Sequence, residues 1–274
     1  GATQLRPRRE GELQARSSGI PGIYSFENTT DMELAPVILF VYNRPEHTRI
    51  CLEHLEQNKL AAESELYIFA DGAKPGSEEA VAAVRRVVSR PWKFRRVTVV
   101  ERPENRGLAA NVIDGVTTVL KQYDRVIVLE DDLVVSPWFL RFMNDALETY
   151  KEEEQVCHVT CHMLDHKGRL PETFLIKWCN SWGWGTWRRA WQYFEPDGAK
   201  LLHEIESRGL CWQFDLDGGF HFTQMLRDQI AGRNNSWFVR WYASLFLRDK
   251  LMLGTERSLV DNVGFDGSGT HCPP

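Results

Sequence analysis

The chain has 274 residues, 43% hydrophobic and 26% charged, with 33 Lys and Arg against 38 Asp and Glu for a formal net charge of −5. This is ordinary globular composition and excludes collagen-like, disulfide-scaffold and wholly disordered classes. A mildly acidic chain is also poorly suited to gripping nucleic-acid phosphates, so no nucleic-acid partner is expected. Residues 1–33 are polar, carry Arg6, Arg8, Arg9 and Arg16, and lack periodicity, which predicts a flexible N-terminal arm. Order is expected to begin near Ala35, where PVILFVY forms a continuous apolar run ending in Asn43-Arg44-Pro45, the pattern of a strand buried on both faces. A helix follows over 48–58, then a strand over 66–70 closed by Asp71-Gly72, a helix over 78–88 and a strand over 96–100. Asn105-Arg106-Gly107 punctuates before a helix over 108–120, and a fourth strand over 125–129 stops at Glu130-Asp131-Asp132.

Strand–helix alternation of this kind predicts an α/β fold with a Rossmann-like, mostly parallel sheet flanked by helices. Ligands in such sheets bind beyond the carboxyl ends of the strands, which puts Asn43, Asp71 and the acidic triplet along one edge. After residue 150 the alternation loosens into aromatic and Gly-rich segments. The chain therefore reads as one domain over 34–274, in halves 34–150 and 151–274. Six scattered cysteines show no CxxC pair and no zinc-like spacing, which fits reduced thiols and a cytoplasmic setting.

Two features call for chemistry. Three carboxylates directly after an apolar strand repel one another unless a cation or a set of N–H donors compensates them. They suit Mg2+ or Mn2+, or alternatively a solvated turn capping the helix after Ser136-Pro137. The second feature is the tryptophan content: ten in all, five of them between Trp178 and Trp191. Flat apolar rings with one N–H each suit the C–H faces of pyranoses, and equally suit a core. Trp178 and Trp191 are expected in the core, Trp182 and Trp184 against sugar.

The stretch VIVLEDDLVVSPWFLRFM resembles the metal-binding segment of GT-A fold glycosyltransferases, closest to the EDDL form of the N-acetylglucosaminyltransferase I group and its bacterial relatives. PVILFVYNRPEH, IFADGAK, NRGLAANV, CNSWGWGTWRRAW and SLVDNVGFDGSGTHC resemble further family segments in the family's order, over roughly residues 35–272. The resemblance implies a GT-A sheet, with 34–150 binding nucleotide and 151–274 receiving the acceptor. It implies transfer of a hexosyl or N-acetylhexosaminyl group from a nucleotide-diphosphate sugar, most simply a UDP-sugar, to a hydroxyl of a glycan, glycolipid or glycoprotein, with inversion. Asp132 and His271 would hold Mn2+ or Mg2+. Asn43, Arg44, Asp71, Arg106, Asp131, Trp184 and Gly185 would contact the nucleotide sugar, Asp71 through the pyrimidine base. Association with the inner face of a membrane would come through parts outside this chain.

The sequence departs from the resemblance at the catalytic base. Where relatives place an acid after a Trp, NSWFVRWYAS has Phe238 and Val239. Asp217 and Asp228 are the nearest upstream acids, and Asp217, flanked by glycines in FDLDGGF, is the expected substitute. Two rival readings stay open: a non-catalytic relative that lost its base, and a sugar-phosphate nucleotidyltransferase, which would normally open on a Gly- and Arg-rich loop that NRPEHTR does not supply.

Overall fold

A computed structural model describes residues 33–164, 166 and 168–266. The arm expected over 1–33 lies outside them except for Glu33, and His271 lies outside them too. The first strand, β1 (Val37–Val41), is buried at every position, as its unbroken apolar run requires. Ile38 and Phe40 face one layer of core, and Val37, Leu39 and Val41 the other. Next come α1 (Pro45–Glu56), β2 (Glu65–Ala70), α2 (Glu78–Val88), β3 (Arg96–Glu101), α3 (Leu108–Leu120) and β4 (Arg125–Glu130). The predicted helices over 78–88 and 108–120 match at both ends. Helix α1 starts earlier than its apolar spacing suggests, because Pro45 at its first turn has a preset φ and no N–H to leave unpaired.

The second half adds β5 (Leu133–Val135), α4 (Phe139–Thr149), β6 (Val156–Thr160), β7 (Thr173–Ile176) and β8 (Trp184–Trp187). After β8 come α5 (Arg188–Trp191), α6 (Gly198–Ser207), α7 (Cys211–Phe214), α8 (Phe222–Ile230) and α9 (Trp237–Phe246), then β9 (Leu251–Thr255) and β10 (Val260–Asn262). Eight strands form one sheet in the order β3-β2-β1-β4-β8-β6-β9-β7. Strands β3, β2, β1 and β4 are mutually parallel; β8 runs against β4 and β6, β9 runs with β6, and β7 runs against β9. Six strands thus share a direction, giving the mixed, mostly parallel α/β sheet that the alternation predicts.

One face of the sheet packs on α1, α2 and α4, and the other on α3 and the cluster α6 to α9. The order reverses between β1 and β4, so the loop after β1 and the acids after β4 meet at the switch point, where open α/β sheets form their crevice. Strand β6 points the same way and β8 the opposite way, so His162, just past the end of β6, and Trp182, just ahead of β8, reach the same edge. No helix among the described residues is long and apolar enough to cross a membrane.

Candidate active site

At the switch point, Arg44 caps the step from β1 into α1 and turns its guanidinium onto the triplet. Its Nη2 donates to Asp131 Oδ1 and, at 3.0 Å, to Asp132 Oδ2. Asp131 and Asp132 are both buried. Desolvation at the strand end, aided by the charges of Asp132 and Asp131, pushes Glu130 up to about 8. Desolvation likewise lifts Asp131 to about 6, outweighing the pull of Arg44 and a hydrogen bond from the Tyr42 backbone. Asp131 and Asp132 are therefore a buried acidic pair with the Arg44 guanidinium against it, and a solvated capping turn does not describe them.

The segment after β10 closes over this centre. Val263 N donates to the Asp132 carbonyl at 2.9 Å, and His47 Nε2 lies 3.2 Å from Asp266 Oδ2. Gly264 packs so closely that a Cβ there would stand 2.6 Å from Asp132 Oδ2, so only glycine leaves room beside that oxygen. Two observations bear on a divalent ion: a guanidinium already stands as the cation between two carboxylates, and the glycine keeps space free at Asp132. Among the described residues no group of three or more ligating side chains gathers. Two carboxylates nevertheless match the way Mg2+ is commonly held, through one or two protein acids with water and substrate phosphates completing the shell. Asp131 and Asp132 could hold such an ion; the expected third ligand, His271, lies outside the described residues.

Asp71 sits at the end of β2, on the same edge, but its carboxylate is engaged by the protein. Oδ1 accepts from Gly72 N and Arg106 N, both at 2.9 Å, while Oδ2 accepts from Gly107 N at 2.9 Å and Asn105 Nδ2 at 3.0 Å. Four donors use the roughly four lone-pair positions of a carboxylate. Asp71 therefore clamps the 105–107 loop that starts α3 and, in this arrangement, has no acceptor left for a pyrimidine. The Arg106 side chain is exposed and 3.5 Å from Asp114. Asn43 is half-buried beside Arg44 at the strand edge.

The tryptophan loop divides differently from the sequence expectation. Trp184 is 0% exposed, stacked between His158 at 5.3 Å and Trp237 at 5.1 Å. No sugar can reach either ring face, so its assignment to donor binding is corrected to core. Gly185 is corrected with it: a Cβ there would stand 2.9 Å from Met143 Cε and 3.1 Å from the Val126 carbonyl oxygen, so its close approach serves the sheet and α4. Trp178 and Trp191 are buried, as expected. Trp182 is half-buried, 4.4 Å from the His162 ring and 5.7 Å from Phe265 of the closing segment. Of the pair Trp182 and Trp184, only Trp182 borders the site.

The stretch NSWFVRWYAS forms α9, a core helix whose Val239 is fully buried. Arg240 spends its guanidinium on the Ser236 and Pro196 carbonyls and Asn235, so it is not directed at a diphosphate. Asp217 is exposed on the turn between α7 and α8 in a left-handed conformation, φ 54°. Among the described residues no hydrogen bond or ion pair joins it to the acidic pair. Sequence reasoning passed over His162, Asn180 and Asp261. Their signal was weak, because they lie on and between short strands after residue 150, where strand–helix alternation breaks down.

Residues 37–177, just over half of the chain, match glycosyl transferase family 2. No curated protein matches the chain. Among solved structures it is similar to the mannosyltransferase PcManGT from Pyrobaculum calidifontis in complex with GDP-Man and Mn2+, at 20% identity and TM-score 0.34, covering 49% of this chain and 39% of that one. It is also similar to S. aureus TarS 1-349 in complex with UDP-GlcNAc, at 20% identity and TM-score 0.34, covering 51% of this chain and 37% of that one. The chain thus matches well under half the length of either neighbour. The matched span runs from the first residue of β1 to just past β7 and takes in the strand ends that carry Arg44, Asp71 and the acidic pair, and the chain belongs to glycosyl transferase family 2.

Proposed function

We propose that this family member transfers a hexosyl or N-acetylhexosaminyl group from a UDP-sugar to a hydroxyl of a glycan, glycolipid or glycoprotein acceptor, with inversion, as in the N-acetylglucosaminyltransferase I group. The observation that carries the reading is Arg44 held between Asp131 and Asp132 at the switch point. Arg44 neutralises the acids when no ligand is bound and is placed to turn to a diphosphate. Asp132, with Asp131 beside it, would hold Mn2+ or Mg2+, and His271 is the proposed further ligand. A bound ion would offset charge on the departing diphosphate, the Lewis-acid contribution. Asn43, Asp71 and Arg106 line the nucleotide side of the edge; Asp71 acts there by holding the 105–107 loop.

In the transfer, the acceptor oxygen bonds to the anomeric carbon from the face opposite the nucleotide. The bond from that carbon to the diphosphate oxygen breaks, its electron pair leaves with the nucleotide, and the hydroxyl proton passes to a carboxylate. For that base we favour Asp261 over Asp217. Asp261 is exposed on β10, opposite Val134, two residues beyond Asp132. Its charge also reaches His162.

Titration calorimetry with UDP and Mn2+ tests the metal and nucleotide parts. Arg44→Met should bind Mn2+ about tenfold more tightly and UDP about tenfold more weakly, because a charge-assisted pair leaves the acids and is lost to the phosphates. Failure of wild type to bind UDP with either ion overturns the reading. Asp261→Asn should lower kcat about a thousandfold with UDP affinity kept. Loss in Asp217→Asn instead would return the base to Asp217.

A further inference from the structure

A cleft of about 620 Å3 lies between the segment after β6 and the β9–β10 connection, lined in part by His162, Glu256, Arg257 and Asp261, of which Asp261 pairs with Val134, two residues beyond Asp132. Its rim is fixed: Ser258 Oγ accepts from Met163 N at 2.8 Å and donates to the Met163 carbonyl at 3.1 Å. Leu259 N donates to the Cys161 carbonyl at 2.8 Å.

The hydrogen bonds around Asn180 determine what His162 offers to this cleft. Asn180 Oδ1 faces the Trp182 backbone N–H at 2.9 Å. A backbone N–H only donates, so the amide oxygen must stand there, and the amide nitrogen must face His162 Nδ1, 2.6 Å away. That nitrogen in turn only donates, which leaves Nδ1 as the acceptor. A neutral imidazole accepting at one nitrogen carries its proton on the other. Burial keeps the ring on its neutral side, against the charge of Asp261. The Asn180 backbone is held as well, its carbonyl accepting from His158 Nε2 at 2.8 Å, while His158 Nδ1 accepts from Trp241 Nε1 at 3.1 Å in the core. His162 Nε2–H is thus a donor of fixed orientation with no hydrogen-bond partner among the described residues. Trp182 lies against the same imidazole.

One oriented N–H with carboxylates at the far wall suits a ligand rich in hydroxyls, such as the edge of a pyranose. We propose that this cleft is the acceptor subsite, in which His162 Nε2–H donates to a hydroxyl oxygen of a pyranose. The assignment rests on the transferase reading and adds a residue that chooses the acceptor.

Saturation-transfer difference NMR on the full chain, with the methyl glycosides of glucose, galactose, mannose and N-acetylglucosamine as probes, tests it. Wild type should give transfer to at least one of them. His162→Leu should weaken that probe about tenfold, and His162→Gln, which keeps an N–H in reach, by no more than about threefold. Circular dichroism checks that each variant is folded, and UDP affinity should stay within about twofold of wild type, since His162 is not among the residues assigned to the nucleotide. Absence of transfer to all four probes, or equal binding by the Leu and Gln variants, overturns the subsite. UDP binding separates the two readings. If UDP fails to bind but the His162-dependent signal persists, the transferase reading falls and the subsite stands as a carbohydrate site. If UDP binds without that signal, the subsite alone falls.

Discussion

His158 is fully buried with both ring nitrogens committed, Nδ1 to the Trp241 N–H and Nε2 to the Asn180 carbonyl. Burial lowers it to about 4, against an ordinary value of 6.5. Above pH 6.5 neither the folded nor the unfolded chain binds this proton, and stability is unaffected. As pH falls from 6.5 toward 4, the unfolded chain takes up the proton and the folded one does not. Stability is therefore lost across that window, by about 3 kcal/mol at its lower end for a shift of this size. Urea midpoints of wild type and His158→Phe, followed from pH 7 to 4, should show the variant less stable at pH 7 but with a shallower slope below 6.5. Equal slopes would remove His158 as the cause. At this scale the acidic triplet was legible in sequence, because charges at the end of a buried strand stand out whatever surrounds them. The role of Trp184 was not legible: an indole suits sugar and core alike, and what covers its faces is His158 and Trp237, distant in sequence.

At the scale of elements, the active edge depends on how β2 is joined to the start of α3. Asp71 gathers the N–H groups of residues 72, 106 and 107, and Gly72 lets that loop approach. A Cβ at Gly72 would stand 2.2 Å from the Glu104 carbonyl carbon, and backbone there cannot yield as a flexible side chain can. Asp71→Asn places an amide N–H against donors and should cost about 2–4 kcal/mol in denaturant unfolding without any ligand, and Gly72→Ala a similar amount. A residue that only read the base would leave ligand-free stability unchanged. The two variants should also weaken UDP binding in parallel, since each disturbs the same loop. The helices over 78–88 and 108–120 were readable to the residue because their apolar periodicity is long and clean. The strands after residue 150 were not, since β8 is a four-residue segment, WGTW, whose partners β4 and β6 come from remote parts of the chain.

Across the whole molecule, the sheet is completed late. Strand β9 lies between β6 and β7, so residues after 250 pair with strands formed by residues 156–176. Ending the chain at Asp249 would expose unpaired edges on β6 and β7 beside an opened core. That truncation should lose the near-ultraviolet dichroism of the Trp184, Trp191, Trp237 and Trp241 cluster and aggregate on size exclusion. A monomeric product that kept this signal would show that the helical cluster holds the fold without β9. Sequence by itself determined the doubly wound first half, the edge formed by its strand ends and the acidic centre there. These follow from periodicity and from charges at strand ends, which are local. Only the tertiary structure decided that Arg44 stands between Asp131 and Asp132, that Asp71 is spent on a loop, that Trp184 is core and Trp182 is not, and that His162 presents a fixed donor. Each of these depends on which distant groups occupy a side chain's few hydrogen-bonding positions or cover its faces, and long-range packing alone settles that.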